Sequence, residues 1–122
     1  MRYNDFTEFP VWKKAFELVI LIYKATKDYP VDERFILVSD MRRAVNSITH
    51  NIAEGYGRYE ARDKSRFYKF SRGSCYEIHS QTLVSRALEY IEEDKSTTII
   101  NNAKSIIEEL DALIKSIENP NK

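Results

Sequence analysis

The sequence predicts an all-α protein that folds as an antiparallel, up-down four-helix bundle. Apolar residues recur at alternating spacings of three and four along four separate stretches, which is the period of one helix face. No stretch alternates between apolar and polar residues for long, and the few glycines and prolines fall mostly between the four stretches. With 122 residues and short connections, residues 1–122 are expected to form one bundle domain.

The first helix is predicted over residues 9–28, because Tyr29 precedes Pro30 and is therefore pushed out of the α conformation. Its apolar surface is wider than a simple surface helix needs. Either this helix is deeply buried, or part of its surface contacts another subunit. One apolar seam consists of Trp12, Phe16, Val19, Tyr23 and Thr26, and the adjacent seam consists of Val11, Ala15, Leu18, Ile22 and Ala25.

The second helix is predicted over residues 32–55, with Gly55 and Gly57 marking a break after it. It carries an apolar seam with a polar stripe beside it, so that one side of the helix faces a core. The seam is Val38, Met41, Val45, Ile48 and Ile52, and the stripe is Arg43, Ser47, Asn51, Glu54 and Arg58.

The third and fourth helices are predicted over residues 61–91 and 96–117. The fourth keeps a regular apolar seam, and Asp94, Ser96 or Thr97 is expected to cap its start. The seam of the third is less apolar. The seam of the third helix consists of Phe67, Phe70, Ser74, Ile78, Gln81, Val84 and Leu88. The seam of the fourth helix consists of Ile100, Ala103, Ile107, Leu110, Ile114 and Ile117.

Residues with catalytic or metal-binding chemistry are few and scattered. Cys75 lies in a helical pattern without a nearby base, so we interpret it as a packing residue rather than a nucleophile. His50 and His79 are single, and no Glu-x-x-His, His-Glu-x-x-His or Cys-x-x-Cys motif occurs. We therefore predict no catalytic residue, no metal site and no cofactor.

Four polar residues of the second and third helices form a candidate network: Arg43, Asn51, Glu54 and Glu77. Glu77 is predicted on the core side of the third helix, where a carboxylate is stable only when it is paired and hydrogen-bonded. We interpret these residues as a structural network that fixes the register of the helices. The alternative is a catalytic carboxylate dyad of Glu54 and Glu77, but no other residue resembling an active site accompanies this pair.

A basic stretch surrounds the junction of the second and third helices. The formal net charge of the chain is zero, so only the distribution of charge is informative. Arginine and lysine neutralise phosphates, and aromatic rings stack on bases, which favours nucleic-acid binding; an ordinary solvated face with core aromatics is the other interpretation. The cations are Arg58, Arg62, Lys64, Arg66, Lys69 and Arg72, interleaved with Tyr56, Tyr59, Phe67 and Tyr68.

The second helix contains a specific motif, Asp40-Met41-Arg42-Arg43-Ala44-Val45-Asn46-Ser47-Ile48 followed by Asn51-Ile52-Ala53-Glu54-Gly55-Tyr56-Gly57-Arg58. This motif resembles that of a bacterial four-helix bundle family known from intervening sequences in 23S ribosomal RNA genes. The resemblance extends to about Ile91, and its flanking matches are Val11-Trp12-Lys13-Lys14-Ala15, Tyr29-Pro30 with Glu33, and Arg72-Gly73-Ser74 with Glu77. Ile36, Asp40 and Ser71 depart from the glycine, glutamine and alanine that are usual in that family.

The resemblance implies an antiparallel four-helix bundle that assembles as a ring, commonly a homopentamer. It also implies similarity to the accessory variability protein of diversity-generating retroelements, which is a basic pentamer that binds nucleic acid and the reverse transcriptase of the element. Both implications favour a protein that binds partners.

We therefore expect a non-enzymatic, homo-oligomeric protein that binds RNA or DNA through its basic surface. The alternative is a protein-interaction scaffold or an accessory subunit of a nucleic-acid enzyme such as a reverse transcriptase, without direct nucleic-acid binding. An enzyme that uses Glu54 and Glu77 is the third class. The sequence shows no signal peptide and no apolar run long enough to span a bilayer, so we expect a cytoplasmic protein without a membrane partner.

Overall fold

The computed structural model describes residues 3–120, which contain four α-helices and no strand. A 3-10 turn at Phe6–Glu8 precedes α1 (Pro10–Thr26), which is followed by α2 (Ser39–Gly57), α3 (Ala61–Ala87) and α4 (Glu93–Glu118). Both α1 and α3 pack on α2 and α4, so α1 and α3 lie diagonally across the bundle. The predicted all-α, four-helix architecture is confirmed.

The chain enters α2 through two turns that are helical but not α-helical. Val31–Glu33 forms a 3-10 turn and Arg34–Val38 forms a π-helical segment, so α2 begins at Ser39 rather than at residue 32. The wider π turn changes which side chains face the core. Val38 is buried, whereas Phe35 and Ile36 are largely exposed.

The seam predicted for α2 is confirmed, because all five of its residues are buried. In α4 the four middle residues of the predicted seam are buried as well. The predicted cap of α4 is wrong: the helix begins at Glu93, and the preceding Glu92 makes no side-chain capping bond. The break predicted at Gly55 and Gly57 comes later than expected, because Gly55 is buried inside α2 and the helix ends at Gly57.

Only one of the two seams of α1 lies in the core. Val11, Ala15, Leu18 and Ile22 are buried, but Phe16 and Tyr23 of the second seam are exposed. Within a single chain, therefore, α1 is not buried on all sides. Among residues 3–120, no helix combines the length and the apolar character needed to cross a membrane.

The seam predicted for α3 is only partly right, because the helix is rotated relative to it: Ser74, Ile78 and Gln81 of that seam are buried. Phe70, Val84 and Leu88 are exposed, while small polar residues face the core. These hydroxyls are tolerated there because they bond to backbone carbonyls: Ser71 Oγ donates to Ile48 O at 2.9 Å and Thr82 Oγ1 to Ile78 O at 2.7 Å. The buried residues of α3 are Ser65, Tyr68, Ser71, Ser74, Cys75, Ile78, Gln81, Thr82 and Ser85.

The end of α3 also differs from the prediction, since the helix stops at Ala87 rather than near Ile91. Glu89 adopts a positive φ of 64°, and the following Tyr90 N–H donates to Ser85 O at 2.9 Å. This left-handed residue with a long backward hydrogen bond is the geometry of a Schellman-type helix end.

Candidate functional site

The predicted basic residues lie beside a groove between the first turns of α3 and the last turn of α4. The groove has a volume of about 790 Å³. Three of the six predicted cations, Arg62, Arg66 and Lys69, line it. We call it the α3–α4 groove, and its polar lining consists of Arg62, Asp63, Ser65, Arg66, Lys69 and Glu118.

Arg62 and Arg66 are the cations of this groove that are least engaged within the chain. Both residues are exposed. Arg66 lies 3.9 Å from the carboxylate of Asp63, at the outer limit of an ion pair, and its guanidinium stacks over the rings of Phe67 and Phe70. Within residues 3–120, Arg62 makes no side-chain hydrogen bond or ion pair. These two arginines can therefore contact a ligand without breaking a strong internal bond.

Lys69 and Arg72 instead connect α3 to α4. Lys69 Nζ lies 2.6 Å from Glu118 Oε2, and Arg72 Nε donates to Asp111 Oδ1 at 2.5 Å. The bond to Asp111 raises the pKa of the Arg72 guanidinium. Both pairs are substantially exposed, so each contributes little to stability and the carboxylate can be exchanged for another anion. No local pattern in the sequence indicates these partners, which lie more than a whole helix away along the chain.

Lys64 has a structural role that the sequence analysis did not anticipate. Its Nζ donates to the backbone oxygens of Gly55 at 3.3 Å and Tyr56 at 2.8 Å. Carbonyls in the last turn of a helix have no partner within the helix, and the partial negative charge there attracts a cation. Burial lowers the pKa of the Lys64 amine. Lys64 therefore caps the end of α2.

Arg58 is also held within the chain. Its guanidinium pairs with Glu54 Oε2 at 2.7 Å, one helical turn back, and stacks over the ring of Phe67 at 4.6 Å. Of the six predicted nucleic-acid contacts, Arg58, Lys64, Lys69 and Arg72 thus have partners within the chain. The basic character of this surface is smaller than the sequence alone suggested.

The predicted polar network is only partly assembled. Arg43 joins α2 to α3 by pairing with Glu77 Oε2 at 2.8 Å, and it also pairs with Asp40 on its own helix at 2.9 Å. Hydrogen bonds to Glu77 and Asp40 raise the pKa of the Arg43 guanidinium. The network continues to Gln81, whose Nε2 donates to Asp40 Oδ2 at 2.8 Å. Asp40 and Gln81 are members of this network that the sequence does not indicate, because their contact joins two helices across 41 residues of the chain.

The remaining members of that network lie elsewhere. Asn51 bonds to the backbone oxygen and hydroxyl of Ser47 within α2, and Glu54 pairs with Arg58. The prediction that Glu77 lies on the core side is wrong, since its side chain is 44% exposed. Its partner Arg43 lies three turns of α2 from Glu54, or about 16 Å along the helix axis. The geometry therefore gives no support to a dyad of Glu54 and Glu77.

Cys75 is buried, as expected for a packing residue, and burial raises the pKa of its thiol to about 12. A thiol with so high a pKa is a poor nucleophile at neutral pH. Within residues 3–120, no three potential metal ligands come together.

A second surface, the outer α3 face, does not follow from the seam predicted for α3. On the side of α3 that points away from the core, apolar and small residues recur at spacings of three and four. Its four large side chains are 46–51% exposed, and the charged residue among them, Glu77, is paired with Arg43 of α2. Large uncharged apolar patches on a single chain mark interaction sites. We define the outer α3 face as Gly73, Tyr76, Ser80, Leu83, Val84, Ala87 and Leu88.

The outward side of α1 forms another apolar surface, the α1 stripe, made of the exposed Phe16, Ile20 and Tyr23 and the half-buried Trp12. Trp12 stacks on Phe16 with ring centroids 5.3 Å apart. Because α1 and α3 are diagonal in the bundle, the α1 stripe and the outer α3 face lie on different sides of the molecule.

Comparison with known proteins agrees with the fold. A search of proteins with curated functions gave no significant match. One similar solved structure is a protein of unknown function from the S23 ribosomal protein family of Bacteroides thetaiotaomicron. It is 22% identical, with a TM-score of 0.78 over 86% of this chain and 98% of that chain. At that identity the likeness concerns the fold alone. The family model of the 23S rRNA-intervening sequence protein matches residues 7–112. The chain therefore belongs to the 23S rRNA-intervening sequence protein family.

Proposed function

We propose that this protein is a non-enzymatic, self-assembling protein of the cytoplasm that binds RNA or DNA. The observation that carries the proposal is the outer α3 face, because a solvated monomer gains nothing from four large, half-exposed apolar side chains on one side of a helix. The occupant that we propose for this face is a second copy of the same chain. The α1 stripe supports this choice, since it offers an apolar counterpart on every copy.

The arrangement of these two surfaces favours a ring. When two different surfaces on different sides of a molecule associate, the contact is heterologous and repeats until the ring closes. The family resemblance points to a homopentamer, so light scattering should give about five times the chain mass of 14.4 kDa. A monomer at micromolar concentration contradicts the proposed assembly.

Nucleic-acid binding follows from assembly, because each copy adds its α3–α4 groove to a common rim. Arg62 and Arg66 then recur around the ring, and their electrostatic fields add. The summed field of the ring compensates for the small excess of positive charge in each single groove. The groove lies at the opposite end of α3 from Leu83 and Leu88, so assembly through the apolar residues leaves the arginines accessible.

Self-assembly is tested by Leu83→Glu, which puts a charge in the centre of the outer α3 face. Ala112→Glu is the matched control, because Ala112 is exposed on α4 outside both apolar surfaces. We expect Leu83→Glu to give folded monomers by light scattering and circular dichroism, while Ala112→Glu stays oligomeric. If both variants assemble like the wild type, the outer α3 face is not the interface.

Nucleic-acid binding is tested with a structured RNA and a duplex DNA across a salt series. Affinity should fall steeply with salt, and each lost phosphate contact should reduce the slope of log K against log salt by about 0.9. Arg62→Glu combined with Arg66→Glu should abolish most of the binding, whereas the control Arg34→Glu, on the entry to α2, should change it little. Absence of binding at low salt contradicts this part of the proposal.

A second candidate is a protein-interaction scaffold or an accessory subunit of a nucleic-acid enzyme such as a reverse transcriptase. The observation that favours it is the internal pairing of Arg58, Lys69 and Arg72 with carboxylates. In this case the protein assembles normally but binds neither RNA nor DNA at low salt, and the arginine reversals have no effect on assembly.

A further inference from the structure

The α3–α4 groove already contains an anion supplied by the chain itself. Glu118, the last residue of α4, places its Oε2 2.5 Å from Ser65 Oγ and 2.6 Å from Lys69 Nζ. Ser65 is only 3% exposed, so packing fixes the position of its hydroxyl. One oxygen held by a neutral donor and a charged donor from successive turns of α3 is a common way to bind an oxyanion.

The end of α4 is by itself an unfavourable place for a carboxylate. The last turn of a helix carries unpaired carbonyls, whose partial negative charge repels an anion and attracts a cation. Nevertheless, hydrogen bonds from Lys69 and Ser65 lower the pKa of the Glu118 carboxyl. The donors on α3 therefore stabilise negative charge at a point where α4 opposes it.

The groove keeps positive charge that Glu118 does not neutralise. Arg62 and Arg66 lie on the same lining, and Asp63, the other carboxylate there, approaches Arg66 only to 3.9 Å. A carboxylate fixed to the end of α4 contacts Ser65 and Lys69 alone. A phosphate presents more oxygens and can accept from these two donors and from the arginines together.

We propose that the α3–α4 groove binds a phosphate group of a nucleic-acid strand, and that Glu118 is an internal competitor that the phosphate displaces. This inference rests on the proposed function, because it names the ligand group at the basic surface. It adds a device that sets affinity, because the carboxylate occupies the donors in the free protein and lowers the affinity for every anion by the same factor. The preference for phosphate over an isolated carboxylate comes from its additional contacts to Arg62 and Arg66.

The test uses inorganic phosphate and nuclear magnetic resonance of the full-length protein, with chloride keeping the ionic strength constant. Phosphate should shift the signals of Ser65, Lys69 and Glu118. Glu118→Gln should bind phosphate about three to ten times more tightly than the wild type, the range expected when an exposed ion pair no longer competes. Glu108→Gln removes an equal charge from an exposed position of α4 and should leave the affinity unchanged.

Two results overturn the inference: equal phosphate affinities for Glu118→Gln and Glu108→Gln, or shifts that lie outside the groove. A further arm compares a single-stranded oligonucleotide with and without a 5′-phosphate, which separates a terminal phosphate from the backbone as the source. If a backbone phosphate occupies the groove, Glu118→Gln should bind both oligonucleotides more tightly than Glu108→Gln does. If the terminal phosphate occupies it, Glu118→Gln should bind only the 5′-phosphorylated oligonucleotide more tightly.

The inference and the proposed function can fail separately. If the wild type binds RNA but Glu118→Gln and Glu108→Gln behave alike, nucleic-acid binding stands and the role of the groove is wrong. If phosphate binds in the groove while no RNA or DNA binds at low salt, the phosphate site stands and the proposed nucleic-acid function is wrong.

Discussion

Gly55 lies against the ring of Tyr68, so closely that a Cβ on residue 55 would stand 2.6 Å from Tyr68 Cε1. Nearby, Ser71 Oγ bonds across to the backbone oxygen of Ile48. Small residues thus let α2 and α3 approach each other closely beside a buried aromatic ring. The glycine in the Asn-Ile-Ala-Glu-Gly segment serves this packing and does not break the helix.

Gly55→Ala should therefore destabilise the protein by about 1–3 kcal/mol, because a methyl group forces the Tyr68 ring to move within a packed core. Gly57→Ala is the control, since a Cβ there meets nothing within 4 Å. Chemical unfolding of both variants measures the difference. Equal stability of Gly55→Ala and the wild type contradicts the close approach.

Lys64→Met should lower the free energy of unfolding by about 0.5–1.5 kcal/mol, because the carbonyls of Gly55 and Tyr56 lose their cap. Lys104→Met, on the exposed side of α4, is the control. The salt slope of RNA binding should not fall in Lys64→Met. A decrease of about 0.9 indicates instead that Lys64 contacts a phosphate.

The Arg43–Glu77 bond should have a small coupling energy, because both side chains are about half exposed. A double-mutant cycle with Arg43→Met and Glu77→Gln should give about 0.2–1 kcal/mol at low salt, and less in 1 M salt. Glu54→Gln combined with Glu77→Gln should leave assembly and RNA binding intact. Loss of assembly or of RNA binding in that variant contradicts this expectation and supports a joint role of the two carboxylates.

Glu89→Gly should stabilise the protein by about 0.5–1 kcal/mol. Glu89 holds a left-handed conformation, with φ at 64°, which glycine adopts without steric strain. Part of the gain is offset because glycine increases the entropy of the unfolded chain. The matched change Glu92→Gly, at a residue with negative φ, should not stabilise. A lower unfolding temperature for Glu89→Gly than for the wild type contradicts the left-handed conformation of residue 89 at the end of α3.

Cys75 should react with iodoacetamide at pH 8 about a thousand times more slowly in the folded protein than in denaturant, because the thiolate is the nucleophile. Burial raises its pKa to about 12, so the folded thiol stays protonated where the unfolded thiol ionises. It follows that the free energy of unfolding falls as the pH rises above the ordinary value of about 9. A reaction rate that levels off near that pH in the folded protein contradicts the shift.

The sequence by itself determined the helical class, the core seams of α2 and α4, and the position of the basic stretch. These features depend on local periodicity and on neighbours within one or two turns, both of which can be read along the chain. The family motif in α2 could be read in the same way. The core residues of α3 could not be predicted in this way. The hydroxyls of Ser71, Thr82 and Ser85 donate to backbone carbonyls, so these residues can occupy the core in place of Phe70, Val84 and Leu88.

Only the tertiary structure decided which charges remain available to a ligand and which apolar residues remain exposed. Lys69 and Ser65 meet Glu118 about fifty residues further along the chain, and Arg72 meets Asp111, so no local pattern predicts these bonds. The rotation of α3 turns Leu83 and Val84 outward, which creates the outer α3 face. Ion pairs and exposed faces depend on how helices pack against one another, and that packing joins residues that are distant in sequence.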